Sequence, residues 1–187
     1  MSTNVEGLQK QIGELKEQLY AALRAQPRHA VADAMLSRDD SSPVRLSELF
    51  RGKPDLILIH NMGRKCRYCT LWADGFNGLA AHLADRAGFA LCSPDEPAAV
   101  REFALSRGWK FQCVSAAGTT FIKDMGFEPK PGDHHPGIST FQRTAGGAIV
   151  RVASAPLGPM DDFCALWPML HMLADGVGGW EPKYKYA

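Results

Sequence analysis

Near the amino terminus, apolar residues recur at alternating steps of three and four, the heptad spacing of a helix that buries one narrow stripe. The stripe consists of Val5, Leu8, Ile12, Leu15, Leu19 and Ala22. Pro27 ends this helix, and a short Ala-rich helix is predicted from Arg28 to Leu36. Two interpretations of the stripe remain open: a terminal helix that lies on its own domain, or an arm that pairs two chains as a homodimer.

The pattern changes after the polar segment SRDDSSP, residues 37–43, which is rich in turn formers and is interpreted as a linker. Beyond it, apolar runs too short for helices alternate with helical periods. Strands are predicted at 55–61, 88–93 and 110–115, and helices at 69–86 and 94–107. Gly75 and Gly78 predict a bend in the first of these helices, and Ser93 is the predicted cap of the second.

The last third of the chain predicts a hairpin and a final helix. Strands at 138–144 and 148–154 flank a turn at 145–147, and a helix at 159–176 is interrupted at Pro168. The order of elements predicts an α/β protein of thioredoxin-like fold, with a central mixed sheet flanked by helices and the hairpin antiparallel at one edge. We assign residues 1–43 to an N-terminal helical arm and linker, and residues 44–187 to the thioredoxin-like domain.

Composition and charge restrict the class of partner. The chain has 187 residues, of which 45% are hydrophobic, which suits one domain with an appendage. Its 21 basic and 20 acidic residues offer no charge match to nucleic acid or to an anionic membrane surface. No secretory signal pattern and no apolar segment of about 20 residues is found. We therefore expect a soluble, cytoplasmic protein whose partner is a small molecule or a protein, not a nucleic acid or a membrane.

The segment GRKCRYCTLW places Cys66 and Cys69 between the first predicted strand and the following helix. A catalytic thiol needs a lowered pKa and access to solvent, because the thiolate is the nucleophile. A helix start favours negative charge on Cys66, and the neighbouring cations Arg64, Lys65 and Arg67 are expected to add to this effect. Cys69 then lies one turn inside the helix, where it is placed to resolve a mixed disulfide.

A Cys-x-x-Cys pair has three interpretations: a redox couple, half of a zinc site, or two inert buried thiols. The chain holds five cysteines, an odd number unlike a secreted disulfide scaffold, and no second pair that would complete a zinc site. We favour the redox couple and expect no metal and no cofactor. His60, at the end of the first predicted strand, is expected either to hydrogen-bond near the thiolate or to meet solvent.

Several segments resemble one known family. LSELFRGKPDLILIH is similar to the helix-then-strand start of peroxiredoxins and their thioredoxin-like relatives. CRYCTLWADGFNGLAAHLADR, RGWKFQCVS, TTFIKDMGF, PGISTFQR and GGWEPKYKY occur in the same order in domain-of-unknown-function family 899, whose members are regarded as thioredoxin-like dithiol-disulfide oxidoreductases. The resemblance covers about residues 44–187. It implies a thioredoxin-like fold and a redox role for Cys66 and Cys69.

The resemblance also suggests a substrate-binding surface. Thioredoxin-like proteins place a proline, after a cis peptide bond, before the strand that faces the cysteine pair, and the backbone there pairs with the substrate chain. Pro136 and Gly137 occupy the one stretch suited to this role, and an ordinary turn proline is the alternative. Trp72 is a further candidate for substrate contact, with a place in the core as its alternative.

Three functional hypotheses follow. The first is an intracellular thiol-disulfide oxidoreductase, in which Cys66 attacks a protein or small-molecule disulfide and Cys69 resolves the intermediate. The second is a non-catalytic dimeric binding protein on a thioredoxin scaffold. The third is a thiol peroxidase.

Overall fold

The predicted strands join others in one eight-stranded mixed sheet. The structure, a computed structural model, describes residues 4–186, so residues 1–3 of the predicted arm and Ala187 lie outside the described residues. The strands are β1 (His29–Val31), β2 (Met35–Arg38), β3 (Pro43–Arg45), β4 (Asp55–His60), β5 (Gly88–Ser93), β6 (Gln112–Ser115), β7 (Gly137–Arg143) and β8 (Ile149–Pro156). Their order across the sheet is β1-β8-β7-β4-β5-β6-β2-β3.

The centre of the sheet is parallel and its flanks are antiparallel. Strand β4 pairs in parallel with β5, and β5 with β6, while the β7–β8 hairpin joins the other side of β4 in antiparallel register. The helices are α1 (Val5–Ala25), α2 (Arg67–Arg86), α3 (Pro97–Arg107), α4 (Phe121–Asp124) and α5 (Leu166–His171), with a 3₁₀ helix at Leu46–Phe50. Because α2 and α3 connect the parallel strands, the predicted α/β order with a mixed sheet is confirmed.

Alternation along β4 divides the interior into two cores, one on each face of the sheet. Leu56 and Leu58 lie in a cluster with the 3₁₀ helix and α4. Ile59 lies in a second cluster with Trp72 of α2, residues of α3 and Trp167 of α5. The helix that follows the cysteine pair is thus held by its apolar side on the face opposite to α4.

The predicted Ala-rich helix at 28–36 is wrong, because this segment forms β1 and β2. Strand β1 pairs with β8, and β2 pairs with both β3 and β6. The segment interpreted as a linker contains the end of β2, a turn and the first residue of β3. The boundary placed between residues 43 and 44 therefore falls inside β3, and the sheet already includes residues from His29 onward.

Three helices also differ from the predictions, one in its continuity and two in their bounds. Helix α2 runs through Gly75 and Gly78 without interruption. Helix α3 starts at Pro97, which takes the first helical position, where its missing N–H costs nothing, and Ser93 instead ends β5. The final helix is limited to α5, in which Pro168 lies within the first turn.

Helix α1 leaves its apolar stripe exposed. The side chains of Val5, Leu8, Ile12, Leu15 and Leu19 are each 50–63% accessible, and α1 has no buried residue. Lys16, which flanks this stripe, contacts Asp162 Oδ1 through its Nζ at 2.7 Å and ties the helix to the domain. No helix among residues 4–186 is long and apolar enough to cross a membrane.

Replacing Gly88 or Gly75 with alanine adds the same methyl group but should change the free energy of unfolding in opposite directions. We expect Gly88→Ala to lower the free energy of unfolding by about 1–3 kcal/mol through overpacking, because its Cβ would lie 2.4 Å from the Leu49 carbonyl oxygen. Gly75→Ala, with no atom within 4 Å of the new Cβ, is expected to raise it by about 0.5–1 kcal/mol. Urea unfolding measures both, and equal effects would contradict the packing at Gly88.

Candidate active site

The loop between β4 and α2 is held by a network of short polar contacts. Asn61 donates its N–H to the Cys92 carbonyl at 2.9 Å and accepts the N–H of Gly63 on its Oδ1 at 2.6 Å. Gly63 adopts a φ of +95°, a conformation that favours glycine. The Gly63 carbonyl then accepts the N–H of Cys66 at 3.1 Å. These contacts fix the position at which the cysteine pair begins.

Asp95 ties the same loop to the end of β5. Its carboxylate accepts the backbone N–H of Arg64 at 2.6 Å and the hydroxyl of Ser93 at 3.2 Å. Its carbonyl accepts the Ser115 hydroxyl at 2.6 Å. Sequence reasoning missed Asp95, although a carboxylate just beyond the carboxyl end of a strand adjacent to β4 is a signal that could have found it.

Cys66 is the N-cap of α2. Its Sγ accepts a hydrogen bond from the backbone N–H of Cys69 at 3.1 Å. Its carbonyl accepts both the backbone N–H and the hydroxyl of Thr70, at 3.1 and 3.0 Å. The sulfur therefore takes the place usually filled by a serine or aspartate oxygen, where unpaired amides and the helix dipole favour negative charge.

The two thiols have different protonation behaviour. The hydrogen bond from the Cys69 side chain, followed by the backbone amides of Cys69 and Tyr68, lowers the pKa of Cys66 to about 6, although partial burial acts against this. The same hydrogen bond, burial and the charge on Cys66 raise the pKa of Cys69. Cys66 is half-buried and Cys69 is 4% exposed. The pair thus combines an accessible thiolate with a buried, protonated neighbour.

Arg64, Lys65 and Arg67, the three cations predicted to lower the pKa of Cys66, do not act on its sulfur. Arg67 pairs with Glu181 at 2.6 Å, and Arg64 lies 3.8 Å from Glu102. Lys65 is exposed and lines a cavity beside the pair. Hydrogen bonds, not these side chains, account for the lowered pKa of Cys66. The prediction of a cationic cause is corrected accordingly.

The prediction that His60 lies near the thiolate, or in solvent, is wrong. Its side chain follows the parity of Leu56 and Leu58 and points to the face opposite α2. It is 1% exposed, its Nε2 lies 2.9 Å from Ser139 Oγ, and its ring stacks on Phe127 with centroids 4.0 Å apart. Burial, with a smaller effect of Arg151, lowers the pKa of His60 to about 3, so the ring is neutral.

The structure does not give Pro136 and Gly137 the expected substrate-pairing geometry. No peptide bond within residues 4–186 is cis. The Pro136 carbonyl already accepts the N–H of Leu157 at 3.1 Å, and Gly137 pairs with His60 in the sheet. A Cβ on Gly137 would lie 1.9 Å from the Phe127 ring. Gly137 therefore allows the aromatic ring to pack, and Pro136 lies in irregular chain directly before β7.

Trp72 belongs to the core and is not a substrate surface. It is 2% exposed, and its Nε1–H donates to Asp161 Oδ1 at 3.3 Å. Its ring packs near Tyr68, with centroids 6.3 Å apart. The alternative given for Trp72, a place in the core, is therefore the correct one.

Sequence reasoning did not foresee that the C-terminal tail forms a wall of the site. Besides the Arg67–Glu181 ion pair, Arg107 donates to the carbonyl of Tyr184 at 2.6 Å, and the ring of Trp180 meets Trp167 edge-on at 6.1 Å. Burial, and then the charge on Cys66, raise the pKa of Tyr184, which places this phenol within electrostatic reach of the thiolate.

The other cysteines lie in the interior. Burial raises the pKa of both Cys92 and Cys113 to about 12, and that of Cys164 in the same direction. These thiols behave as small apolar side chains. Within the part of the chain that the structure describes, no group of three or more histidine, cysteine and acidic side chains is arranged to hold a metal ion.

Solved structures similar to this chain place the fold in the thioredoxin-like class. They include the peroxidoxin BcpB from Mycobacterium tuberculosis, with 24% identity, a TM-score of 0.56 and coverage of 68% of this chain and 83% of that one. A mutant of peroxiredoxin Q from Xanthomonas campestris has 20% identity, a TM-score of 0.53 and coverage of 68% and 85%. A hypothetical protein from Sinorhizobium meliloti 1021 has 15% identity, a TM-score of 0.53 and coverage of 83% and 86%. The predicted thioredoxin-like fold is confirmed.

A family comparison gives the narrower assignment. The family model described as "Bacterial protein of unknown function (DUF899)" matches residues 8–186, and the chain belongs to this family. The resemblance inferred from the cysteine segment and the aromatic tail is therefore confirmed. Among curated proteins no sequence matches the chain.

The source of the low pKa of Cys66 can be tested by alkylation. We expect the rate for Cys66 to rise with pH around a midpoint of about 6. Cys69→Ala keeps the backbone N–H and removes the thiol donor, so the midpoint should move upward, toward about 8.5 for an ordinary thiol.

Arg67→Gln serves as the control, because Arg67 is already engaged by Glu181. Its midpoint should stay close to that of the unmodified protein. A large shift in Arg67→Gln with none in Cys69→Ala would contradict the hydrogen-bond account.

Proposed function

We propose that this protein is a thiol-disulfide oxidoreductase whose nucleophile is Cys66 and whose resolving thiol is Cys69. One observation carries the proposal. Cys66 Sγ caps α2, half-exposed and with a pKa of about 6, and Cys69 lies buried one turn further along the same helix. An exposed thiolate beside a protonated thiol is the reduced form that disulfide exchange requires.

The cycle uses only these two side chains and a disulfide substrate. The Cys66 thiolate attacks one sulfur of the substrate, forms a mixed disulfide and releases the first substrate thiolate. The Cys69 thiol then passes its proton to solvent or to the leaving sulfur and attacks Cys66 Sγ, which releases the second thiolate. The substrate gains two electrons and the pair becomes a disulfide, which an external dithiol reduces again.

The asymmetry of the pair determines the order of events. Cys69 is too buried to meet a bulky substrate first, and its raised pKa keeps it protonated until Cys66 has lost its negative charge. Formation of the mixed disulfide removes the charge that raises the pKa of Cys69. The first step therefore prepares the second.

We place this chemistry in the cytoplasm. A dithiol that acts as a reductant needs a compartment that returns it to the reduced state. The odd number of cysteines, five, is unlike the disulfide scaffold of a secreted protein and fits such a compartment.

Cysteine variants separate the two roles. We expect Cys66→Ser to abolish the reduction of insulin disulfides. Cys69→Ser should retain attack but accumulate a mixed disulfide that mass spectrometry detects, because no second thiol displaces the substrate. Cys164→Ala, which removes a buried thiol of the second core, is the matched control and should retain activity.

Full activity in Cys66→Ser, with the variant folded as judged by circular dichroism, would refute the proposal. An unchanged redox-buffer titration in which the Cys66–Cys69 disulfide never forms would refute it as well.

A thiol peroxidase is a second candidate, favoured by the similarity of the fold to structures named as peroxiredoxins. In that case Cys66 would attack a peroxide oxygen and become a sulfenic acid, which Cys69 would condense into the disulfide with release of water. Hydrogen peroxide given to the reduced protein distinguishes the two. Oxidation of Cys66 no faster than that of free cysteine dismisses the peroxidase.

We also propose that α1 pairs with α1 of a second copy. In the exposed stripe, β-branched Val5 and Ile12 alternate with Leu8 and Leu15, the pattern of a parallel two-stranded coiled coil. Paired stripes would cover these apolar side chains, which the domain itself leaves in solvent.

Light scattering after gel filtration tests this pairing. The unmodified chain should show a concentration-dependent dimer, because about three heptads form only a weak coiled coil. Leu8→Gln with Leu15→Gln should give a monomer. Lys10→Gln with Glu17→Gln, on the opposite side of α1, is the control and should remain dimeric. A monomer at every concentration would contradict the pairing.

A further inference from the structure

The geometry points to a small disulfide that carries carboxylates as the substrate class of this site, bound in the cationic cavity beside Cys66. This inference rests on the proposed oxidoreductase function and adds the charge of the substrate to it.

The cavity has a volume of about 710 Å³, and its lining includes Arg64 and Lys65, the two residues that precede Cys66. Its lining comes from three parts of the chain: the loop before Cys66, helix α3 and the C-terminal tail. The lining residues are Arg64, Lys65, Phe103, Ser106, Arg107, Tyr184 and Lys185. A cavity of this size suits a small ligand better than a protein surface.

The charges of the lining are unbalanced. Arg107 is matched by Asp74, which accepts from its guanidinium, and Arg64 has Glu102 at 3.8 Å. Lys65 and Lys185 are exposed, and neither makes an ion pair within residues 4–186. Two positive charges therefore remain to attract an anion.

The two unpaired lysines come from different parts of the cavity lining. Lys65 is the residue before the nucleophile, and Lys185 follows Tyr184, whose phenol senses the charge on Cys66. Phe103, half-buried and packed edge-on against Trp109 at 5.5 Å, adds an apolar surface to the same lining. A ligand with a short apolar stem around its disulfide and an acidic group at each end matches this combination of groups.

With an acidic disulfide as substrate, the chemistry is the same disulfide exchange as in the proposed cycle. One sulfur of the acidic disulfide forms a bond with Cys66 Sγ, and the bond between its two sulfurs breaks. The first acidic thiolate leaves, and Cys69 displaces the second. The lysines bind the carboxylates and exchange no electrons.

Three disulfides that share the same -CH₂CH₂-S-S-CH₂CH₂- stem test the inference: 3,3′-dithiodipropionate is anionic, bis(2-hydroxyethyl) disulfide is neutral and cystamine is cationic. The measurement is the single-turnover rate of thiol loss in the fully reduced protein at low ionic strength. The variants are Lys65→Gln, Lys185→Gln and the double variant. Lys123→Gln, an exposed lysine of α4, makes the same charge change on the other face of the sheet and is the control.

The ratio of the anionic rate to the cationic rate is the readout. It cancels any change in thiolate population that Lys65→Gln causes, because all three disulfides meet the same thiolate. For each lysine removed, we expect the anionic disulfide to react roughly threefold more slowly and the cationic one roughly threefold faster, as for one unit charge several ångströms away in water. The ratio should therefore fall roughly tenfold for each lysine. The preference should vanish near an ionic strength of about 1 M, where the screening length is about 3 Å. Lys123→Gln should leave the ratio unchanged.

The outcomes separate this inference from the proposed function. If the double variant keeps the ratio of the unmodified protein while the neutral disulfide still reacts, the acidic substrate class is wrong and the oxidoreductase stands. If the reduced protein prefers cystamine, the inference is also overturned. If Cys66 reacts with none of the three disulfides, the oxidoreductase itself fails.

Discussion

The contact of Cys69 with Cys66 Sγ is the interaction on which the proposed chemistry depends. The Cys69 side chain does most to lower the pKa of Cys66. The Cys69 N–H makes this sulfur the cap of α2, where the first turn of the helix has amides to donate. The loop before it is held by Asn61, Gly63 and Asp95, which fix the start of the helix to the ends of β4 and β5. The sheet and its two cores thus hold the start of α2 in a fixed position.

The site is formed by two kinds of element: a helix that packs on the core, and a loop and tail at the surface. Rigid elements supply the nucleophile and its neighbour, because α2 rests on the second core through Trp72, Ala73 and Phe76. Peripheral elements supply the charges, since Lys65 and Lys185 lie on a loop and on the tail. In the proposed function, the reactivity of Cys66 and the choice of its substrate are thus set by different parts of the molecule.

Sequence patterns predicted the elements whose structure depends on neighbouring residues. They did not predict the elements that depend on pairing with distant parts of the chain. The apolar run of β4 and the following helix positioned the cysteine pair correctly. Strands β1 and β2 could not be found in this way, because an Ala-rich segment becomes extended only by pairing with β8 and β6, far along the chain. The tail has no period, and its place depends on contacts such as Arg67 with Glu181. The burial of His60, by contrast, follows from the alternation of β4 and was available in the sequence.

The C-terminal wall of the cavity has a consequence for how the protein is made and handled. These residues follow every described strand and helix along the chain, so the cysteine pair and α2 are synthesised before the tail that lies over them. Cleavage by a peptidase before Tyr184 would remove Tyr184 and Lys185 from the cavity, while all described strands and the cysteine pair precede the cut.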